Sequence, residues 1–110
     1  MFLSNTIRPA ILGFTKSISQ NYADKGITVN SILPSAVLSE RTDFFINKRV
    51  EDKGISYEEA LQQISQNLPP KRIASAEELA KSAVFLCSPH AAYINGVALT
   101  VDGGLTKSLY

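Results

Sequence analysis

Cysteine is almost missing from this chain. Cys87 stands alone, so no internal disulfide can form, and the sequence fits a reducing cytoplasmic setting. Lying in the apolar run AVFLCS, Cys87 is expected as a small buried hydrophobe rather than a reactive thiol. No apolar run approaches the roughly 20 residues that a membrane-crossing helix needs. No basic segment followed by an apolar one opens the chain, so neither membrane residence nor export is expected. Charge of either sign barely dominates: 11 Lys and Arg against 10 Asp and Glu leave a formal +1. That is no field for holding nucleic acid. The only histidine, His90, has no cysteine or carboxylate at metal-ligand spacing, so it is read as an exposed loop or helix-end residue and no metal site is expected. Internal repeats and low-complexity tracts are absent too.

What is present reads as one domain, since 110 residues with 45% hydrophobic content can bury one core. Near the start, Ile7, Ile11, Phe14 and Ile18 recur at helical spacing and form a stripe that needs a wall to pack against. A helix is predicted over Thr6–Ala23. Pro9 favours Thr6 over Ser4 as its N-cap, because proline beyond the first turn costs about 3 kcal/mol. Lys25-Gly26 supplies a basic last turn and a C-cap. ITVNSILP, 27–34, is β-branched and does not strictly alternate, which suits a strand covered on both faces.

Residues 35–69 mix charge with scattered apolar side chains. Two short helices are predicted, Thr42–Asp52 and Ser56–Asn67, separated by Gly54, the second opened by a Ser56/Glu59 capping box. Such an excursion is either a substrate wall or a plain surface insertion. Leu68-Pro69-Pro70 reads as an extended linker. SAEELAKSAVFLCSP brings a second capping box, Ser75/Glu78, and a broad apolar face closed by Ser88-Pro89. VALTV, 97–101, reads as the last strand. Helix, strand, helical insertion, helix and strand make one right-handed βαβ unit with a helix before it: an α/β class with too little sheet for a core of its own.

Several blocks occur in one order: Gly-x-Thr-Lys from Gly13 to Lys16, Gly-Ile-x-Val-Asn from Gly26 to Asn30, a loop after Pro34, Glu77-Glu78-Leu79, Tyr-Ile-x-Gly from Tyr93 to Gly96, and Val-Asp-Gly-Gly from Val101. In this order and spacing they resemble the C-terminal half of a short-chain dehydrogenase/reductase, in particular its 3-oxoacyl-[acyl-carrier-protein] reductase-like members. The resemblance implies a doubly wound parallel (Rossmann-type) sheet, of which 1–110 would be the C-terminal half and 35–69 a helical substrate lid. The first helix would lean on strands encoded upstream, where the glycine-rich pyrophosphate turn belongs. Neither glycine spacing of that turn occurs here; the only adjacent glycines are Gly103-Gly104. The chain is accordingly expected to be either a piece of a longer reading frame or a truncated protein.

In the family register, the Tyr-x-x-x-Lys motif falls on Ser4-Asn5-Thr6-Ile7-Arg8. The resemblance would make Ser4 and Arg8 the catalytic positions, yet both signature residues are replaced. Tyrosine suits proton transfer because its pKa of about 10 can be pulled down by a neighbouring cation; serine is a far weaker acid. Arg8 keeps the positive charge and five donors for a ribose. The rival reading makes Ser4 an exposed helix-start residue and Arg8 a surface cation. The family's Pro-Gly-x-Val/Ile-x-Thr loop, which binds the nicotinamide carboxamide, reads Pro34-Ser35-Ala36-Val37-Leu38-Ser39. Val37 and Ser39 keep their roles, whereas Ser35 replaces a glycine, which matters if φ there is positive. Cofactor binding is thus assigned to Arg8, Pro34, Ser35, Val37 and Ser39, the cofactor being NAD or NADP. Asp102 reads as structural or at a subunit contact.

Two functions follow. One is an NAD(P)-dependent oxidoreductase acting on a small carbonyl or secondary alcohol, with 3-oxoacyl thioesters as the finer expectation and homo-oligomerisation, as dimer or tetramer, through the last helix and strand. The other is a truncated, non-catalytic interaction module. These 110 residues alone are expected to show no turnover.

Overall fold

The computed structural model describes residues 2–107, the side chain of Ser4 excepted. In chain order it contains α1 (Phe2–Asn21), β1 (Ser31–Pro34), α2 (Glu40–Lys53), α3 (Tyr57–Ser65), α4 (Ala76–Leu86) and β2 (Ala98–Val101). Short 3-10 helices occupy Ala23–Lys25 and Pro89–Ala91. β1 and β2 pair in a two-stranded sheet. Ser31 N–H donates to Val97 O at 2.9 Å and Ser35 N–H to Val101 O at 3.4 Å, both steps advancing together, so the strands run parallel. This is the α/β arrangement expected, in its incomplete form. The chain divides into two compact units, one of residues up to Leu33 with Ser82–Thr100, the other of Pro34–Lys81 with the stretch from Val101 onward.

In the first unit α1 starts earlier than predicted and runs through Pro9. The Thr6 hydroxyl donates back to Phe2 O at 3.2 Å, so Thr6 lies inside the helix and is not its cap. Pro9 removes one helical bond, but Asn5 and Pro9 are exposed and water can serve the freed carbonyl. α1 ends at Asn21, and Gly26, at φ 72°, caps the following 3-10 helix instead. Thr15 and Ser19 are buried residues of α1, with the Thr15 and Ser31 hydroxyls 2.8 Å apart.

The predicted strand 27–34 forms a ladder only from Ser31, because asparagine side chains serve the preceding residues. Asn95 Oδ1 accepts from Val29 N–H at 2.9 Å, while its Nδ2 donates to Ser19 O at 2.9 Å. Asn30 answers in kind, donating to Ile94 O at 2.9 Å and accepting from Val97 N–H at 3.1 Å. The strand is half-buried rather than covered on both faces. Cys87 is exposed, against expectation, as are Val84 and Phe85: the apolar face of α4 is broader than its neighbours in this chain can cover. His90 is exposed, as expected.

In the second unit the caps explain the helix boundaries. Ser39 caps α2 by accepting from Thr42 N–H, and Gly54, left-handed at φ 63°, ends it. The Ser56/Glu59 box opens α3 with bonds of 2.9 and 3.1 Å, and Ser75/Glu78 opens α4 with bonds of 2.8 and 3.2 Å. Ile46 and Ala60 are fully buried where α2 meets α3, with Leu68 and Ile73 nearly so. Leu68-Pro69-Pro70 is a turn, not an extended linker. Lys71 N–H closes onto Leu68 O at 3.0 Å, and Lys71 takes a left-handed φ of 56°.

Candidate functional site

Pro34 leaves β1, and the loop 35–39 continues it in extended form against Ala74, with which Val37 makes a parallel bridge. Ala74 N–H donates to Ala36 O at 3.2 Å, and Leu38 N–H donates to Ala74 O at 2.8 Å. Peptide groups alternate along an extended chain, so the N–H and C=O of Val37 both point away from Ala74. Among the described residues the Val37 N–H has no partner, while Val37 O accepts from the Thr42 hydroxyl at 2.6 Å. Ser35 takes no positive φ, so the residue in the glycine position is unstrained, and its hydroxyl donates to Asp102 O at 3.1 Å. Ser39 spends its oxygen on the α2 cap and lies 3.2 Å from the Thr42 hydroxyl.

The segment 40–65 stands next to this loop. The face of α2 bearing Ile46 packs on α3, and the Tyr57 phenol donates to Asp43 at 2.6 Å. That bond, then partial burial and the charges of Asp43 and Glu58, hold Tyr57 above its usual pKa. Phe44 and Phe45 of α2 are exposed and meet edge to face at 5.6 Å, with the Arg41 guanidinium 5.8 Å from the Phe45 ring centre. A cavity of about 160 Å³ is lined by Ser35, Arg72, Glu78, Asp102 and Gly103, among others. Its polar groups already hold one another. Arg72 grips Glu78 bidentately at 2.7 and 2.8 Å. Hydrogen bonding from Arg72, foremost, and from the Ser75 amide pulls the Glu78 carboxyl down to about 2. Asp102 accepts from the amides of Gly104 and Thr106 at 2.9 and 2.7 Å; bonds from Thr106, first, and from the neighbouring amides hold it below the usual carboxylate range. Asp102 is a turn-forming residue here.

Of the residues assigned from sequence, Pro34, Ser35, Val37 and Ser39 come together in one loop of the second unit. Ser4 and Arg8 share one turn of α1 in the first unit. Arg8 is exposed; the side chain of Ser4 lies outside the described residues. Sequence reasoning missed Thr42, Asn30 and Asn95. The signal for the two asparagines was present, because amide side chains inside or beside an apolar strand run must find partners. The residues fit the nicotinamide end of a dinucleotide: an open donor beside an acceptor with a free lone pair complements a primary carboxamide. They do not fit its pyrophosphate, for which a glycine-rich turn at a helix N-terminus is missing among the described residues.

A family model described as enoyl-(acyl carrier protein) reductase matches residues 4–106. The NADPH-dependent reductase BacG of Bacillus subtilis is 37% identical over 109 residues, 99% of this chain and 42% of that protein. The 3-oxoacyl-[acyl-carrier-protein] reductase FabG of Vibrio harveyi is 34% identical over 98 residues, 89% of this chain and 36% of FabG. Among solved structures, L-sorbose reductase from Gluconobacter frateurii, in complex with NADPH and L-sorbose, superposes with a TM-score of 0.89 at 36% identity, covering 96% of this chain and 40% of that one. The chain thus spans about two fifths of the length of the relatives it matches.

Proposed function

Because the chain belongs to the short-chain dehydrogenase/reductase family, we propose that it forms the C-terminal part of an NAD(P)-dependent oxidoreductase domain. In this reading it supplies the grip on the nicotinamide and one wall of the substrate pocket. The observation that carries the reading is the Val37 peptide edge, a donor and an acceptor aimed to one side of a loop that leaves a parallel strand. Val37 would hold the carboxamide, and Ser39 would add a hydroxyl. The bound cofactor supplies or takes the hydride, and this chain's residues orient it.

Reducing a carbonyl also requires a proton on its oxygen. Ser4 occupies the position of the family's tyrosine, and Arg8, four residues on along α1, occupies that of its lysine. A serine hydroxyl is too weak an acid to donate that proton unaided, so the contribution of this pair is charge and ribose contact through Arg8. Residues 35–69 would wall the substrate, a small carbonyl or secondary alcohol, with 3-oxoacyl thioesters the finer reading. α4 and β2 would carry the homo-oligomer contact, dimer or tetramer.

The test is a titration of the isotope-labelled chain with NADPH and with NADH, followed at the backbone amides. Shifts centred on Val37 and Ser39 support the reading; no shift there at millimolar cofactor overturns it. Turnover of either cofactor with a carbonyl compound is not expected from these residues alone. A second reading, a non-catalytic assembly module, is favoured by the exposure of Val84 and Phe85 on α4. A stable oligomer whose Val37 amide ignores both cofactors would select it.

A further inference from the structure

Resting on the nicotinamide-binding reading of the 34–39 loop, we propose that Thr42 is a positioning residue: its hydroxyl fixes the Val37 carbonyl in the orientation in which a primary carboxamide can use it. The peptide plane between Val37 and Leu38 is pinned at both ends. Leu38 N–H is held by Ala74 O at 2.8 Å, and Val37 O is held by Thr42 Oγ1 at 2.6 Å. Removing the hydroxyl would leave that plane held on one side only, free to rock about its single remaining bond.

Hydrogen counting sharpens the point. A backbone oxygen cannot donate, so the only hydroxyl proton of Thr42 goes to Val37 O. The 3.2 Å contact between the Ser39 and Thr42 hydroxyls is then donated by Ser39. Ser39 Oγ in turn accepts from Thr42 N–H at 3.4 Å. Thr42 therefore holds the carbonyl through its hydroxyl and engages the Ser39 oxygen through its amide. One lone pair of Val37 O stays open for an incoming N–H, and the Ser39 proton can turn from Thr42 to an incoming carbonyl oxygen. Thr42 touches no ligand in this arrangement; it acts through Val37 and Ser39.

The experiment compares the wild-type chain with Thr42→Val, which keeps shape without the hydroxyl, and Thr42→Ser, which restores it. The probes are NADPH, free nicotinamide, and nicotinic acid, whose carboxylate has no N–H to give Val37 O. Thr42→Val should weaken NADPH and nicotinamide binding, read at the Val37 amide, by about fivefold, the loss of one neutral hydrogen bond. Thr42→Ser should stay within about twofold of wild type, as expected if the hydroxyl alone carries the effect. The Val37 carbonyl ¹³C resonance should move in Thr42→Val before any ligand is added, and nicotinic acid, which can accept from Val37 N–H but has nothing to give Val37 O, should bind wild type and Thr42→Val alike. Thr42→Val binding as tightly as wild type overturns the proposal, as does Thr42→Ser binding as weakly as Thr42→Val. A wild-type Val37 amide that ignores NADPH and nicotinamide alike overturns the nicotinamide reading and this proposal with it.

Discussion

Asn30→Ala should cost the first unit of this chain a substantial share of its stability. Asn30 ends the Gly-Ile-x-Val-Asn block, and its amide reaches across to Ile94 O at 2.9 Å and Val97 N–H at 3.1 Å. A neutral hydrogen bond nets about 1 kcal/mol, and a partner left unsatisfied when buried costs about 1–3 kcal/mol. Ile94 is half-buried and Val97 more open, so alanine at position 30 should destabilise the fold by about 2–3 kcal/mol. With urea slopes of about 1–3 kcal/mol/M, the unfolding midpoint followed by far-ultraviolet circular dichroism should fall by about 0.7–3 M. Asn30→Asp is the decisive companion. It keeps an acceptor for Val97 but loses the donor and sets an anionic oxygen against Ile94 O, so it should rescue little. A midpoint shift under about 0.3 M for alanine, well below one net hydrogen bond, would refute the claim that this amide bridges the two segments. Full rescue by aspartate would refute it equally.

Gly96 combines a left-handed φ of 70° with a crowded site, since a Cβ there would run into the Ser19 hydroxyl and lie 3.1 Å from Lys16 Cδ. Gly104, at φ 82°, has open space around it. Gly104→Ala should cost only the backbone penalty of about 1 kcal/mol, and Gly96→Ala distinctly more; equal thermal melting of the two variants would show that the close approach is unimportant. The Glu78 carboxyl falls from the ordinary 4.5 to about 2 when paired with Arg72 and capping α4. A carboxyl with a lowered folded pKa adds stability above its unfolded pKa and loses it as pH falls through the folded one. The advantage of wild type over Glu78→Gln should therefore be complete above 4.5 and fade toward about 2 in acid unfolding. A difference that stays constant across that window would contradict the pairing.

How much was legible follows from the length of chain each signal occupies. Both capping boxes, Ser56/Glu59 and Ser75/Glu78, close within three residues and form as the spacing implied. The two strands came from short apolar runs, and their parallel pairing from the helix between them. The candidate loop was legible only through family register: nothing local to Pro34–Ser39 announces that Ala74 will align it or that Thr42 will hold it. The asparagine bracket was missed because Asn30 and Asn95 act on residues far away in sequence. Exposure was the least legible property, since it depends on what surrounds a helix rather than on the helix itself, as Cys87 shows.

α1 makes that dependence quantitative. Its stripe is regular enough to demand a wall, yet Ile7, Ile11 and Phe14 remain 49%, 52% and 66% exposed, and Ile18 is half-buried. Full burial of such a side chain is worth about 1.5–3 kcal/mol. With about half or more of these three side chains still open to solvent, they forgo a few kcal/mol, a sizeable share of the roughly 5–15 kcal/mol that stabilises a whole domain. A helix patterned this way gains its stability only against a covering apolar surface. Replacing Ile11 or Phe14 by a polar residue should therefore change the stability of this chain little, and should matter most in whatever assembly supplies that cover.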